Sequence, residues 1–132
     1  MQTLSASAIR YLLAMYSLGS EGGIRCVVIA QALHVTKPSV HRMMETLSGK
    51  AFVRKAKYGM VFLTKEGGEL AVRYAGYYDV IFRFLCQGLA LPPEDSGNAA
   101  FALLAGISDE RIGGMCEILR DTSRLLAERM IK

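Results

Sequence analysis

The sequence predicts a mainly α fold, in which a winged helix-turn-helix with a two-stranded wing precedes an all-helical dimerisation domain. Three observations carry this prediction: two short helical patterns separated by a tight turn at residues 28–49, two β-prone runs at 52–64, and helical periodicity over most of the remainder. We expect a first domain at residues 1–72 and a second at 73–132, joined by a helix from about residue 65 to 86.

The helix-turn-helix prediction rests on residues 28–49. Apolar residues at helical spacing predict a short helix from Val28 to Leu33 that stops at His34. Thr36 offers a capping oxygen to the next helix, and Pro38 stands in its first turn, where a missing amide proton costs little. The second helix carries apolar residues at i, i+3, i+4 and i+7, which predict a buried stripe: Val40, Met43, Met44 and Leu47.

The wing is predicted at residues 52–64, where two β-prone runs meet at Tyr58-Gly59, a pair suited to a tight turn. Its first strand carries Arg54, Lys55 and Lys57. Such a basic arm is typical of phosphate contacts beside a groove that a recognition helix enters. The alternative is a solvated edge strand that its lysines protect from aggregation.

These patterns nominate seven residues for DNA contact. Arg42 is the candidate for a bidentate guanine contact, and the lysines are candidates for phosphate contacts. The alternative for Arg42 is an ion pair with Glu45, three residues on in its own helix. The seven are Lys37, Ser39, His41 and Arg42 from the second helix and Arg54, Lys55 and Lys57 from the wing.

The other elements are predicted to be helices. A first helix capped by Ser5 or Ser7 runs to about Leu18, ends at Glu21-Gly22-Gly23, and carries a stripe of Ile9, Leu12, Leu13 and Tyr16. Thr64 caps the long helix, whose stripe comprises Leu70, Tyr74, Tyr77 or Tyr78, Ile81 and Leu85. Pro92-Pro93 interrupts the pattern before a helix at about 94–106, and Ser108 caps another that reaches residue 118 or beyond.

Charge and composition favour a cytoplasmic protein that contacts DNA. The net charge is +4, but residues 1–74 hold ten Lys/Arg against four acids, whereas the remainder holds six against eight. No apolar run is long enough to span a membrane, and we expect no targeting leader. Cys26, Cys86 and Cys116 lack metal-binding spacing and are expected to be buried fillers, with redox sensing by one of them as the alternative.

The carboxy-terminal helices contain more apolar residues than so small a module can bury. We therefore expect a homodimer, which also suits a palindromic operator read by two helix-turn-helix units.

The order of these elements resembles the DtxR/MntR family of iron- and manganese-dependent winged-helix transcriptional repressors. The resemblance covers about residues 5 to 120. It is carried by Leu-Thr-Lys-Glu-Gly at 63–67, Phe-Leu at 84–85, Gly-Leu at 88–89, and Ile-Ser-Asp-Glu at 107–110. It implies a dimeric DNA-binding repressor with Mn or Fe as cofactor.

This sequence departs from the family at the metal ligands that the resemblance implies. None of the seven matching positions has a carboxylate or an imidazole, and manganese and ferrous iron need several oxygen and imidazole donors. We therefore expect no metal cofactor, and DNA binding that is independent of metal or tuned by another signal. The seven positions are Arg10, Leu13, Tyr78, Phe82, Phe101, Leu104 and Ala105.

Two alternatives belong to other classes of function, and a third is a different kind of transcriptional regulator. An enzyme is not expected, because the sequence has neither a glycine-rich phosphate loop nor a nucleophile with paired His and Asp. A winged helix that binds protein would not need the basic wing. A MarR-like regulator would bind a small molecule in a pocket, for which the candidates are Tyr74, Tyr77, Tyr78, Phe82 and Phe101.

Overall fold

A computed structural model describes residues 4–19 and 22–131, and the side chains of all of these except 130 and 131. The chain divides into two compact units. The winged-helix unit is Ser7–Arg73, and the helical unit comprises residues 74–131 together with 4–6. None of the helices in the described ranges is long and apolar enough to cross a membrane.

The winged-helix unit has the elements that the sequence predicts and one more. Its helices are α1 (Ala6–Leu18), α2 (Cys26–Leu33), α3 (Lys37–Gly49) and the first half of α4 (Lys65–Arg83). Its strands are β1 (Ile24–Arg25), β2 (Val53–Lys55) and β3 (Met60–Leu63), in the order β1-β3-β2. The two-stranded wing, β2 with β3, is therefore joined by β1, a two-residue strand too short for periodicity to predict.

The turn between α2 and α3 forms as predicted. His34 ends α2 in the left-handed region (φ 55°), and its amide donates to the carbonyls of Ala30 and Gln31. Thr36 caps α3, because its Oγ1 accepts a hydrogen bond from the amide of Ser39 at 3.3 Å. The predicted stripe of α3 faces the core: Val40, Met44 and Leu47 are buried and Met43 is half-buried.

The wing turns at Lys57–Gly59, where both Tyr58 (φ 64°) and Gly59 (φ 71°) are left-handed. Its antiparallel register places Arg54 opposite Phe62 and Lys55 opposite Val61. Because successive side chains of a strand point to opposite faces, Arg54 and Lys55 lie on different faces of the sheet.

The segment Leu-Thr-Lys-Glu-Gly at 63–67 joins the wing to α4 by specific contacts. Thr64 caps α4 as predicted, since its Oγ1 accepts from the amide of Gly67 at 3.0 Å and donates to the carbonyl of Ala51 at 2.6 Å. The Thr64 amide donates to the carbonyl of Phe52 at 3.1 Å. A Cβ on Gly67 would lie 1.9 Å from that same carbonyl oxygen, so only glycine fits there.

Helix α1 has the predicted bounds, but its buried face differs from the prediction. Ile9 and Leu12 are buried as expected, whereas Tyr16 is 46% exposed and Leu13 is half-buried. The places of these two are taken by Ala8, Tyr11 and Met15. The core therefore meets α1 on a face rotated from the stripe that hydrophobicity alone selected. Glu21, predicted to end this helix, lies outside the described residues.

The helical unit contains the second half of α4, α5 (Pro93–Gly106) and α6 (Asp109–Ile131). Between α4 and α5 lies a π-helical turn, Phe84–Gly88, that contacts both α5 and α6. Along α4, Leu70, Tyr74 and Ile81 are buried as predicted, and Leu85 is half-buried. Pro92 and Pro93 stand at the start of α5, and α6 begins at Asp109, directly after the predicted cap Ser108.

Candidate nucleic-acid interface

The outward face of α3 is polar and open to solvent. Lys37, His41 and Arg42 are exposed along it, and Ser39 is half-buried. Helix α2 packs against α3, and α3 also contacts β2. These contacts fix α3 from its apolar side, so that its polar side chains remain available to a ligand within the described part of the winged-helix unit.

A short chain of hydrogen bonds orders the beginning of α3. The hydroxyls of Thr36 and Ser39 lie 2.9 Å apart, and Nη2 of Arg42 donates to Oγ of Ser39 at 3.3 Å. Ser39 therefore draws the guanidinium of Arg42 towards the amino terminus of α3. In that position Arg42 keeps other N–H groups free to donate, as bidentate recognition requires.

Tyr11 adds a further electrostatic feature beneath this face. Burial raises the pKa of the Tyr11 phenol, and the positive charge of Arg42 partly opposes that rise. The phenol is thus a neutral neighbour of Arg42 at physiological pH. Sequence reasoning missed Tyr11, because the helical stripe chosen for α1 excluded it.

Lys55 connects the wing to α3. Its ammonium pairs with the carboxylate of Glu45, and the two side chains are 43% and 69% exposed. The ion pair between Arg42 and Glu45 considered above is therefore wrong, since Glu45 has Lys55 as its partner. A pair this exposed contributes about 0–1 kcal/mol, so a phosphate can compete for Lys55.

The three basic residues of the wing do not act as one cluster. The guanidinium of Arg54 lies over the ring of Phe62, 4.4 Å from its centroid, on the face opposite Lys55. Arg54 and Phe62 line an open cleft of about 940 Å³ that also includes Tyr16 and Val72. Lys57 is exposed in the turn at the tip of the wing.

Tyr58 is a second residue that sequence reasoning passed over as part of a turn. Its side chain is 91% exposed at the tip of the wing, beside Lys57. The sequence did contain a signal for this exposure, because an aromatic residue placed in a predicted hairpin turn lies too far from a core to be buried in it. The tip thus presents a ring and an ammonium together.

The positions implied as metal ligands do not provide a donor set. In the helical unit, Tyr78 stacks on Phe82 and tilts against Phe101, with ring centroids 5.7 and 4.8 Å apart. Leu104 is buried and Ala105 half-buried. In α1, Arg10 is exposed and Leu13 half-buried. The described residues contain no group of three or more His, Cys, Asp or Glu side chains that could hold an ion, so the residues present do not fit manganese or iron.

The aromatic side chains nominated for a ligand pocket pack on one another. Tyr74 and Tyr77 have ring centroids 5.8 Å apart, Tyr74 is buried, and Phe101 is 9% exposed. The hydroxyl of Tyr78 lies against Gly97 of α5, where a Cβ would stand 3.2 Å from it. None of the five nominated residues lines the 940 Å³ cleft. The rings pack in two groups, Tyr74 with Tyr77 and Tyr78 with Phe82 and Phe101, in which Tyr77, Tyr78 and Phe82 are half-buried.

Solved structures similar to this chain include metal-dependent regulators. The manganese regulator SloR is 26% identical with a TM-score of 0.72, and the alignment covers 91% of this chain and 55% of SloR. ScaR with bound Zn2+ is 27% identical with a TM-score of 0.64, covering 86% of this chain and 53% of ScaR. A hypothetical protein from Sulfolobus solfataricus is 23% identical with a TM-score of 0.64, covering 88% of this chain and 89% of its own.

These comparisons confirm the resemblance and the fold class. The structural neighbours are DtxR/MntR-family metal-dependent regulators rather than enzymes, and the chain matches their amino-terminal winged-helix and helical regions. The chain spans about half the length of SloR and ScaR. Neither a protein-family model nor a curated protein matches the sequence.

Proposed function

We propose that this chain is a dimeric, sequence-specific DNA-binding transcriptional regulator of the cytoplasm. In this proposal α3 lies in the major groove of a palindromic operator, and the wing lies along the flanking backbone. The observation that carries it is the exposed guanidinium of Arg42, which Ser39 holds at the capped start of α3. The element order of the neighbouring regulators supports the same assignment.

Each nominated residue has a role in this interface. Arg42 donates two hydrogen bonds to a guanine, and Ser39 and His41 contact adjoining base edges or backbone. Lys37, at the first residue of α3, and Lys55 contact phosphates. Lys57 and Tyr58 occupy the tip of the wing, and Arg54, held over Phe62, reaches the backbone from the outer face of the hairpin.

A second copy of the chain completes the regulator. Ile118 and Leu125 of α6 are 67% and 61% exposed, and two helical turns separate them, so they share one face. Burial of these side chains against a partner removes apolar surface from water and brings two recognition helices together. Sedimentation equilibrium should give the mass of two chains, and a monomer at micromolar concentration would refute this part.

We infer further that the regulator works as a repressor without a manganese or iron cofactor. The support is the aromatic packing of Tyr78, Phe82 and Phe101 and the absence of carboxylate and imidazole at the implied ligand positions. SloR is described as a manganese regulator and ScaR as a manganese-activated repressor, and we do not extend this response to manganese to the present chain. The signal for this chain then has another chemistry.

The direct test is fluorescence anisotropy with a random-sequence duplex in dilute buffer. Binding should weaken steeply as salt rises, because lysine and arginine contacts release counterions from the phosphates. Arg111→Ala, which removes an exposed arginine of α6, serves as the control and should leave affinity unchanged. If the protein does not bind duplex DNA at low salt, the result would instead support a winged helix that binds protein.

A further inference from the structure

We propose that the helical unit binds a small organic anion, a phosphate or carboxylate group carried on an apolar body, in a cavity between α4, the π-helical turn and α6. The cavity has a volume of about 700 Å³. Its wall combines Asp79, Arg83, Gln87, Arg120, Arg124 and Leu126. All of these residues belong to the helical unit.

The charges of the wall favour an anion. Three guanidinium groups face one carboxylate, and Nε of Arg83 pairs with Oδ1 of Asp79 at 3.2 Å. Arg120 and Arg124 form no ion pair with any residue that the structure describes. Because these two arginines are four positions apart in the sequence, they lie one turn apart on the same face of α6. Two planar donor groups side by side match the oxygen atoms of a phosphate or carboxylate.

The rest of the wall favours an apolar body on the ligand. Val80 and Leu126 provide hydrocarbon surface, and Gly76 adds no side chain at a point with open space around it. A cavity of this volume falls within the range of about 300–1,000 Å³ found for small-molecule sites. An inorganic ion would contact the arginines but not the hydrocarbon side chains of the wall. The ligand that fits therefore has both an anionic group and an apolar body.

The π-helical turn contributes the third side of the cavity. Its wider turn places Gln87 and Gly88 in the wall, where Gln87 offers an amide to a ligand oxygen. A Cβ on Gly88 would lie 3.3 Å from the ring of Phe84, so a larger residue would press on that ring. Single π turns inside helices occur frequently at functional sites, and this one lies beside the unpaired arginines.

Binding in this cavity stands apart from DNA binding, and only a role as the regulator's signal rests on the proposed function. Isothermal titration calorimetry on the intact chain tests the site with two probes, phenyl phosphate and phenylacetate, which separate a phosphate from a carboxylate source. Inorganic phosphate and benzyl alcohol test each half of the ligand alone. We expect at least one probe to bind at one site per chain, and more tightly than either half.

Matched variants locate the binding. The double variant Arg120→Gln with Arg124→Gln should bind the probe with an affinity lower by roughly tenfold or more, because this loss is expected when a charge-assisted hydrogen bond is removed. Arg111→Gln with Arg129→Gln removes the same charge from the same helix outside the cavity, and should change affinity by less than about twofold. If both double variants lost the same affinity for the probe, the arginines would act only through non-specific electrostatic attraction, and the proposal would be overturned.

A third variant predicts a gain, which misfolding cannot produce. Asp79→Asn removes the one carboxylate of the wall and releases Arg83. The probe should then bind several-fold more tightly, because a like charge beside the anion is gone. Weaker binding by Asp79→Asn, or no saturable binding of either probe by the unaltered chain, would contradict the assignment.

Discussion

The winged-helix unit and the helical unit differ in the side chains that they carry at the positions expected to be functional. In the winged-helix unit, α3 buries Val40, Met44 and Leu47 and leaves its cationic residues in solvent. In the helical unit, positions where the resemblance implies metal ligands are occupied by the stacked rings of Tyr78, Phe82 and Phe101. The two units therefore differ in kind: the exposed face of α3 carries polar and cationic side chains, whereas the positions implied as metal ligands in the helical unit carry aromatic rings without a carboxylate or an imidazole.

The largest expected effect concerns the framework that holds the DNA-facing surface. Gly67→Ala should lower the free energy of unfolding by about 2–4 kcal/mol, because its Cβ collides with the carbonyl of Phe52. Gly68→Ala is the matched control, since a Cβ there meets no atom within 4 Å and alanine favours the helix by up to about 1 kcal/mol. Urea unfolding measures both free energies, and equal stabilities for the two variants would show that the contact of Gly67 with Phe52 does not constrain this junction.

Recognition by α3 comes next in size. Arg42→Ala should reduce discrimination between the operator and random duplex by about 1–3 kcal/mol, since a bidentate base contact is lost. Competition binding with a selected operator measures that difference. Lys57→Ala should weaken operator and random duplex alike, because its contact is to phosphate. If Arg42→Ala also weakened both sequences equally, Arg42 would be a backbone contact.

Features of the structure that depend on local sequence could be predicted, whereas those that depend on distant residues could not. The bounds of α3 follow from Thr36, Pro38 and a regular apolar stripe, all of which are local. The partner of Glu45 is not local, since Lys55 reaches it from β2, ten residues away. The buried face of α1 and the two-residue strand β1 likewise depend on what packs against them. Arg54 and Lys55 adjoin in sequence, yet strand alternation places them on opposite faces.

The pairing of Lys55 with Glu45 gives a smaller effect of opposite sign. Glu45→Gln should tighten binding to random duplex a few-fold, because it frees Lys55 for phosphate and removes a negative charge near the DNA. Anisotropy at fixed low salt measures the change. Glu117→Gln, at an exposed position of α6, removes an equal charge from the helical unit and should have no such effect.

The smallest expected effect compares one thiol from each unit. Burial raises the pKa of Cys26 and of Cys116 above 9.0 in the folded state. Their neutral forms therefore stabilise the folded chain below pH 9, and that contribution is lost as the pH rises through the folded pKa values. Chemical unfolding between pH 8 and 10.5 should show falling stability, with a shallower fall in Cys26→Ala and in Cys116→Ala. Slopes unchanged by both substitutions would show that other groups dominate.

Whether the protein binds DNA without a metal is decided by duplex binding with and without a chelator, combined with elemental analysis of the purified protein. We expect salt-sensitive DNA binding of equal affinity in chelator and in added manganese, with no stoichiometric manganese or iron in the protein. Stoichiometric metal together with loss of DNA binding in chelator would contradict this expectation.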